Sequence, residues 1–471
     1  MILINKLLQA RRTKQIILLK FVYVVISSKQ QNIKIILMNR IIFVLCLFIG
    51  LSCNSQITKE NPNIILIMAD DMGYECLGSY GSTSYNTPVL DKLAAAGIKF
   101  DNCVSQPLCT PSRVKIMTGL YNYRNYDYFG HLSTNQFTFG NLMKEAGYST
   151  CIAGKWQLNG LAYKNEISDW NDNSRPNKFG FDEYCLWQLT KTGKQGGRYA
   201  DPLIEQNGKL LGRNKDDYGP DIFSNYILDF IDRKKEGPFF IYYPMVLVHD
   251  PFVPTPDSQE WANEDIRKKN DTSYYKDMVA YTDKIVGRII HKLEELEIVD
   301  NTIIIFTGDN GTHPSIYSHT KEGVIRGGKG NTIDAGTHVP LIISWPKKIK
   351  KGFIHEGLIE FSDFFATFAD IVEKEVESDG KSFYPLLKGE KHEPRKTAFV
   401  HYDPKWNKRV SQYRNQFIRT IDYKLYQDGS FYNLDLDILE ITPLQIDSLT
   451  KNQLDVKNEL EKTLKKHPNW K

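Results

Sequence analysis

The sequence predicts an α/β fold: a mostly parallel central sheet flanked by helices, with a smaller C-terminal α+β subdomain. Three observations carry that expectation. Near-continuous apolar runs such as Ile64–Ala69 and Thr302–Gly308 are bounded by turn residues and read as strands buried on both faces. Amphipathic stretches separate these runs, as the crossovers of a parallel sheet require. After about residue 375 the texture turns polar and turn-rich, then hairpin-like. The 471 residues suffice for one large domain and a smaller one, and 41% hydrophobic with 25% charged residues is an ordinary globular balance. A formal net charge of +4, with no basic cluster interleaved with aromatics, argues against a nucleic-acid partner.

Residues 1–53 read as a leader, with Met38 as the expected true start. Met38-Asn39-Arg40 opens a short charged region, and the apolar run IIFVLCLFIGLSC follows. At about a dozen residues this run falls below the roughly 18 expected of a membrane span. Its end, Leu51-Ser52-Cys53, resembles a bacterial lipoprotein signal with Cys53 as the lipid-attachment residue. A cleaved secretory signal without lipid is the alternative. Both imply export, to the periplasm or the cell surface.

Residues 61–375 are expected to form the catalytic α/β domain. The first strand ends in Asp70-Asp71. Successive strand residues point to opposite faces, so two acids converge only where a strand ends, which is also where ligands bind in open α/β sheets. Taken alone, the pair reads equally well as a helix cap or a solvated turn. The same device recurs where Thr302–Gly308 runs into Asp309-Asn310. For that second pair an Asx turn is the plain alternative. Two strands that each finish in oxygen-bearing side chains can build a hard-cation cage, and a set without sulfur or imidazole favours Ca2+ or Mg2+ over zinc. Calcium tolerates irregular all-protein shells better and is preferred over magnesium.

Cys109-Thr110-Pro111-Ser112-Arg113 follows a loop and precedes a run with helical periodicity. Pro111 suits a first helical turn, where its missing N–H costs nothing. Cys109 then lies at a helix N-terminus, where backbone N–H groups and the dipole attract anions. A half-buried structural thiol is the plainer alternative. Two more strand-like runs lead to Lys155, in Gly154-Lys155-Trp156, and to His249, in His249-Asp250-Pro251. Lys329 lies in the glycine-rich Ile325–Thr332. A lone Lys is commonly a solvated surface charge, and a lone His commonly structural. Three carboxylates, three cations (Arg113, Lys155, Lys329) and one divalent ion would leave a pocket near +2, suited to a small oxyanion.

The remaining stretches have structural readings. Tyr274, Met278, Tyr281, Ile285, Ile289 and Leu293 recur at helical spacing and face a core, as do Phe361, Phe364, Phe365 and Phe368. Cys76, Cys103, Cys151 and Cys185 lack metal-ligand spacing and are either buried thiols or disulfide partners. The C-terminal subdomain, residues 376–471, is expected to contain a hairpin turning at Asp428-Gly429 and a closing amphipathic helix.

From Asn63 to the C-terminal hairpin, the chain resembles the sulfatases of the alkaline-phosphatase superfamily. The matching pieces occur in the family's order: Asp70-Asp71, C-T-P-S-R, G-K-W, the His of H-D-P-F, D-N-G, and the Lys of G-K-G. The resemblance implies that Cys109 is converted to formylglycine by a separate maturation enzyme, the hydrated aldehyde supplying a nucleophilic oxygen. It implies that Asp70, Asp71, Asp309 and Asn310, with the modified Cys109, hold calcium. Arg113 would steady the formylglycine, Lys155 and Lys329 would bind sulfate oxygens, and His249 would protonate the departing alcohol. One position departs from the family pattern. Gln157 stands where a His is common, two residues after Lys155. An amide can hydrogen-bond the hydrated aldehyde and substrate but cannot take up a proton near neutral pH. A carboxylate or His313 is an alternative base, and His313 and His319 read equally as pocket or surface residues.

The expected function is hydrolysis of sulfate esters on a carbohydrate by an exported enzyme. The loops Lys155–Trp170 and His401–Asn415 are candidate sugar subsites. A phosphodiesterase or phosphonate hydrolase on the same frame, and a sulfated-glycan-binding protein without turnover, are the competing readings.

Overall fold

The computed structural model describes residues 61–191, 197–406 and 411–468. The leader, with Met38 and Cys53, lies outside the described residues. The first half of the fold contains β1 (Asn63–Ala69), α1 (Pro88–Ala96), β2 (Ile98–Val104), α2 (Cys109–Thr118), α3 (Phe139–Glu145), β3 (Ser149–Lys155) and β4 (Glu183–Trp187). Then come β5 (Ile204–Gln206), β6 (Lys209–Leu210), α4 (Gly219–Lys234), β7 (Phe239–Pro244), α5 (Tyr275–Glu295) and β8 (Thr302–Gly308). A small hairpin of β9 (Tyr317–Thr320) and β10 (Gly323–Arg326) precedes β11 (His338–Ser344), β12 (Phe353–Glu360) and α6 (Ser362–Ile371). The C-terminal part holds β13 (Ala398–Tyr402), β14 (Asn415–Arg419), β15 (Tyr423–Tyr426), β16 (Phe431–Asn433) and α7 (Lys451–Leu464). No helix among the described residues is long and apolar enough to cross a membrane.

β1 is buried at every position because its alternating side chains enter two different cores. Ile65, Ile67 and Ala69 pack with residues of α1, α4 and α5. Ile64, Leu66 and Met68 pack with residues of α2, α3 and α6. Each buried Ile or Leu contributes about 1.5–3 kcal/mol, so an unbroken apolar run is what a strand covered on both faces demands. The ten-stranded sheet runs β12-β2-β11-β8-β1-β7-β3-β4-β5-β6. Its centre, β8-β1-β7-β3-β4, is parallel, whereas β11 is antiparallel to both its neighbours and β5 and β6 are antiparallel at one edge.

Register places the site. Ala69 pairs with Gly308, so Asp70-Asp71 and Asp309-Asn310 leave the sheet side by side. A Cβ at Gly308 would lie 2.0 Å from the Met72 carbonyl, so the bare glycine lets the chain after β1 cross close by. The apolar run that predicts a strand through Val248 stops pairing at Pro244, which has no N–H to offer. Beyond it the backbone still follows β1: Met245 N–H donates to the Met68 carbonyl at 2.9 Å and Val248 N–H to the Asp70 carbonyl at 2.7 Å. His249 is thereby carried to the same rim. In α5 the buried tyrosine at the first turn is Tyr275, while Tyr274 is only half-buried, because the helix begins one residue later than the periodicity suggests.

The C-terminal part is a four-stranded antiparallel sheet, β13-β14-β15-β16, with α7 packed through Leu460 against Ile418, Leu425 and Phe431. Its last turn is the expected one: Gly429 adopts φ +91°, and the Asp428 side chain accepts from Ser430 N–H. Phe383 and Leu387, which precede this sheet, are buried among the residues of the large sheet's second core.

Two buried ionic clusters join this small sheet to the rest. In one, Lys115 of α2 bonds Glu360 (3.2 Å) and the Phe399 carbonyl (3.0 Å), while Arg395 pairs with Glu360 and Asp363. In the other, Arg419 reaches Asp334 at 2.6 Å, His338 lies 3.1 Å from the same carboxylate, and Lys424 pairs with Glu440 at 2.8 Å.

Breaking such a buried cluster leaves an uncompensated charge, so Asp334→Asn should lower the free energy of unfolding in urea by about 3–5 kcal/mol. Burial opposes ionisation of Asp334, but His338, Arg419 and Lys424 outweigh it and hold the carboxyl well below its usual range. A depressed carboxyl contributes stability that is present above the unfolded value of about 3.9 and is lost as pH falls below it. The variant should therefore lose less additional stability than wild type between about pH 5 and pH 2. Parallel acid limbs for the two proteins would contradict the assignment.

Candidate active site

Every sequence-predicted site residue except His313 and His319 gathers on one rim of the sheet. Asp70 and Asp71 follow β1, Asp309 and Asn310 follow β8, Lys155 ends β3, and Cys109 opens α2. Asp70, Asp71, Asp309, Asn310, Arg113 and Lys155 are all at most 1% exposed. The Cys109 sulfur and carboxylate oxygens of Asp70 and Asp309 lie within 4.8 Å of one another, as do ligand atoms of Asp70, Asp71 and His249.

Hydrogen bonds fix the acids. Asp71 N–H donates to Asp309 Oδ1 at 2.9 Å, and Asn310 Nδ2 donates to Asp71 Oδ1 at 2.9 Å. Asp71 takes φ +59°, a left-handed conformation, with its N–H on Asp309 and its two carboxylate oxygens on Asn310 and Lys329. Asn310 Oδ1 is buried and has no hydrogen-bond partner among the described residues. Lys155 Nζ lies 2.9 and 2.8 Å from the two oxygens of Asp70. Lys329 Nζ is 2.5 Å from Asp71 Oδ2 and 3.0 Å from His249 Nε2.

The electrostatics follow from crowding charge into a buried space. Burial works against ionised Asp70, yet Lys155, with His249, Arg198 and Lys329, holds its carboxyl well below the usual range. Asp309 goes the other way: burial and then the Asp70 charge push it well above that range. Burial, with Asp70 and Asp309 adding to it, also raises the Cys109 thiol despite Lys155 and Lys329. The thiol is therefore protonated at neutral pH and is not a ready nucleophile as it stands.

Cys109 is positioned by the residues behind it. Ser112 Oγ accepts from Gln106 N–H at 3.1 Å and donates to the Gln106 carbonyl at 3.0 Å, closing the loop before α2. Arg113 donates to the carbonyls of Lys155 (2.6 Å) and Trp156, tying the end of β3 to α2. Gln157 turns back at φ +49° and places Oε1 4.0 Å from the Cys109 sulfur. Its amide brings no base. Of the histidines weighed as substitutes, His313 packs against Phe252 and bonds Ser315, and His319 is exposed on β9.

His249 is oriented from both ends. Nδ1 lies 2.7 Å from the Asp250 carbonyl and 2.9 Å from Asp250 Oδ1, so the ring proton sits on Nδ1 and Nε2 is left to face Lys329. Burial, then the Arg198 charge, lowers its affinity for a second proton. Arg198 itself was not singled out from sequence. Its Nη1 lies 3.5 Å from Asp70 Oδ2, and no local motif marks it. The five described cysteines, Cys76, Cys103, Cys109, Cys151 and Cys185, are free thiols, which resolves their pairing. The two candidate sugar loops do meet: Tyr163 OH donates to the Lys405 carbonyl at 2.8 Å, and half-exposed Trp406 stacks on Phe129.

The donor set fits a hard divalent cation. It offers three carboxylates and an amide oxygen lacking a partner, and it includes a carboxyl whose ionisation is opposed by like charge. Cys109 is the one soft atom in that set.

A model of the sulfatase family matches residues 62–374. A second model, for the C-terminal part of N-sulphoglucosamine sulphohydrolase, matches residues 329–468. The chain is 31% identical over 405 residues to an N-acetylgalactosamine-6-O-sulfatase of Bacteroides thetaiotaomicron, spanning 69% of this chain and 77% of that protein. The fold superposes on Ps i-CgsB with a TM-score of 0.69 at 27% identity, covering 86% of this chain and 92% of that one. It superposes equally widely, covering 86% of this chain and 98% of the other, on a protein solved with its substrate D-glucosamine-2-N,6-O-disulfate, with a TM-score of 0.67 and 25% identity.

If Asp309 holds a divalent cation it must be ionised to do so, and divalent-cation affinity measured by calorimetry should then rise with pH, binding releasing protons below the raised value of that carboxyl. Asp309→Asn should weaken binding and abolish the pH dependence together. A pH-independent affinity in wild type would rule out Asp309 as a ligand.

Proposed function

The chain belongs to the sulfatase family, and from that premise we propose that it removes sulfate from a sulfated sugar at the Cys109 site. It is a sulfuric ester hydrolase. The observation that carries the site assignment is the convergence of the Cys109 sulfur with the Asp70 and Asp309 carboxylates, within 4.8 Å, inside a pocket ringed by Lys155, Lys329 and His249.

A formylglycine made from Cys109 would supply a hydroxyl nucleophile, and a calcium ion held by Asp70, Asp71, Asp309 and Asn310 would supply positive charge beside the sulfate. Conversion would also replace the lone sulfur of the donor set by oxygen, the atom a hard cation prefers. Each remaining step belongs to the chain's own residues. Arg113 holds the Lys155 and Trp156 carbonyls and so fixes the distance between the nucleophile's helix and β3. Lys155 and Lys329 bind sulfate oxygens and offset charge that builds during reaction, an effect amplified where water is excluded. His249 serves the leaving oxygen through Nε2. Asp250 keeps Nδ1 as a donor, and Lys329 Nζ, at 3.0 Å, can exchange a proton with Nε2. Gln157 positions the hydrated aldehyde by hydrogen bonding.

The substrate reading rests on relatives that act on 6-sulfated hexosamines and on the aromatic lip formed by Trp406, Phe129 and Tyr163 beside the helix of Cys109. Gly130, next to Phe129, donates to Thr110 Oγ1 at 3.1 Å, which places that lip against the residue after Cys109. Export, with lipid attachment through Cys53, and a maturation enzyme as partner complete the proposal.

Mass spectrometry of the Cys109 peptide from the native host should show a loss of about 18 Da, the exchange of hydrogen sulfide for oxygen that yields the aldehyde. Sulfate release from N-acetylgalactosamine 6-sulfate should accompany it, and a clear preference for aryl phosphodiesters would sink the sulfatase activity. Lys329→Ala should lower kcat/KM by roughly 100- to 1000-fold with a small change in Tm. Lys155→Ala should lose similar activity and also stability in calcium-free buffer, because its partner Asp70 is buried with it.

A further inference from the structure

Among the described residues, Arg198 is the guanidinium in the pocket whose terminal nitrogens are least committed. Arg113 spends both terminal nitrogens on backbone carbonyls. Arg198 makes a single long contact, 3.5 Å from Nη1 to Asp70 Oδ2, with a carboxylate that Lys155 already bonds through both oxygens. The side chain is 13% exposed, and no further hydrogen bond from its guanidinium is made among the described residues.

Its position is nevertheless built. The guanidinium lies 4.2 Å from the ring centroid of Trp187, at the end of β4, a stacking that holds the fork's plane without using its edge. The neighbouring Tyr199 donates from its hydroxyl to the carbonyls of Val246 (2.7 Å) and His249 (2.5 Å), pinning the segment to the loop that carries His249. A Cβ at Gly219 would lie 2.0 Å from the Arg198 carbonyl, so α4 is pressed directly against this backbone.

These contacts place Arg198 on the His249 side of Asp70. Cys109 lies on the other side, against Asp309 and Gln157. Displacement at sulfur keeps the attacking and leaving oxygens opposed, so a cation beside His249 flanks the sugar rather than the nucleophile. A planar fork with free edges there matches a carboxylate or sulfate bidentately.

We propose that Arg198 is a specificity-determining residue that receives a second anionic group, a sulfate or a carboxylate, carried by the sugar next to the ester that is cleaved. This inference rests on the sulfated-sugar reading of the same pocket. Neutral sugars would leave the guanidinium with nothing to pair, whereas polyanionic ones would satisfy it.

The test is calorimetry on protein carrying Cys109→Ala, which cannot turn over, with three probes. These are N-acetylgalactosamine 6-sulfate, N-acetylgalactosamine 4,6-disulfate, and the 6-sulfated disaccharide that also bears a uronate. In the otherwise wild-type background at least one doubly anionic probe should bind more tightly than the singly anionic one by roughly tenfold or more. Arg198→Ala should erase most of that ratio, and Arg198→Lys should keep part of it. Arg198→Gln, which retains the stem over Trp187, replaces the alanine variant if the latter melts early. Selectivity for the disulfate identifies the second group as sulfate, and selectivity for the disaccharide identifies it as carboxylate. An equal loss on all three probes, or no loss, overturns the proposal and leaves the sulfated-sugar reading intact. Failure of the wild-type background to bind any of the three overturns both.

Discussion

Three carboxylates, Asp70, Asp71 and Asp309, are buried where two neighbouring strands end, and the molecule must compensate them. Two unit charges 4.8 Å apart, the span within which Asp70 and Asp309 oxygens lie, repel by about 3–4 kcal/mol at an effective dielectric of about 20. Cations supplied by distant stretches of chain offset that cost. Lys155 arrives on β3, Lys329 on the glycine-rich loop before β11, and Arg198 on the segment after β4. The compensation is incomplete: burial and the Asp70 charge raise the Asp309 carboxyl, while Lys155 and the other cations hold Asp70 low against its own burial. A site that leaves one carboxyl under-compensated and one amide oxygen without a partner is prepared for additional positive charge.

The same arithmetic explains why the C-terminal sheet is attached as it is. The cations must be held against a pocket that attracts them, so their backbones need anchors outside it. Lys424 donates to the Thr332 carbonyl at 2.5 Å, and Arg419 grips Asp334, both a few residues beyond Lys329. On the opposite flank Lys115, one and a half turns along the helix from Cys109, is locked to Glu360 and Phe399. The small sheet thus holds both sides of the pocket through buried ion pairs. Such pairs add little net stability but are costly to break, so they fix position more than they strengthen the fold.

Much of the site was legible because its residues follow strands whose apolar runs are unmistakable. The polar pairs after Ile64–Ala69 and Thr302–Gly308 announced themselves by position, and Cys109 by its motif. Gln157 was marked by the resemblance, as the position two residues after Lys155 where the family commonly has His. Other features were not legible. Pro244 ends β7 although the apolar run continues, because hydrogen bonding rather than hydropathy defines the strand. Tyr275 rather than Tyr274 is buried, because a helix start fixes the phase of its periodicity. His313 and His319 looked eligible by proximity in sequence to Asp309, but His313 packs against Phe252 and bonds Ser315, and His319 is exposed on β9.

By itself, the sequence determined which segments are buried strands, that their ends carry oxygen donors and cations, and that Cys109 opens a helix. These are local properties, written in periodicity, composition and short motifs. Only the tertiary structure decided that Ala69 pairs with Gly308, that Asp309 rather than Asp70 bears the unbalanced charge, and that Arg198 faces the pocket. Each of these depends on which segments become neighbours through space. Electrostatic energy depends on distance and burial, and neither is encoded at any single position of the chain.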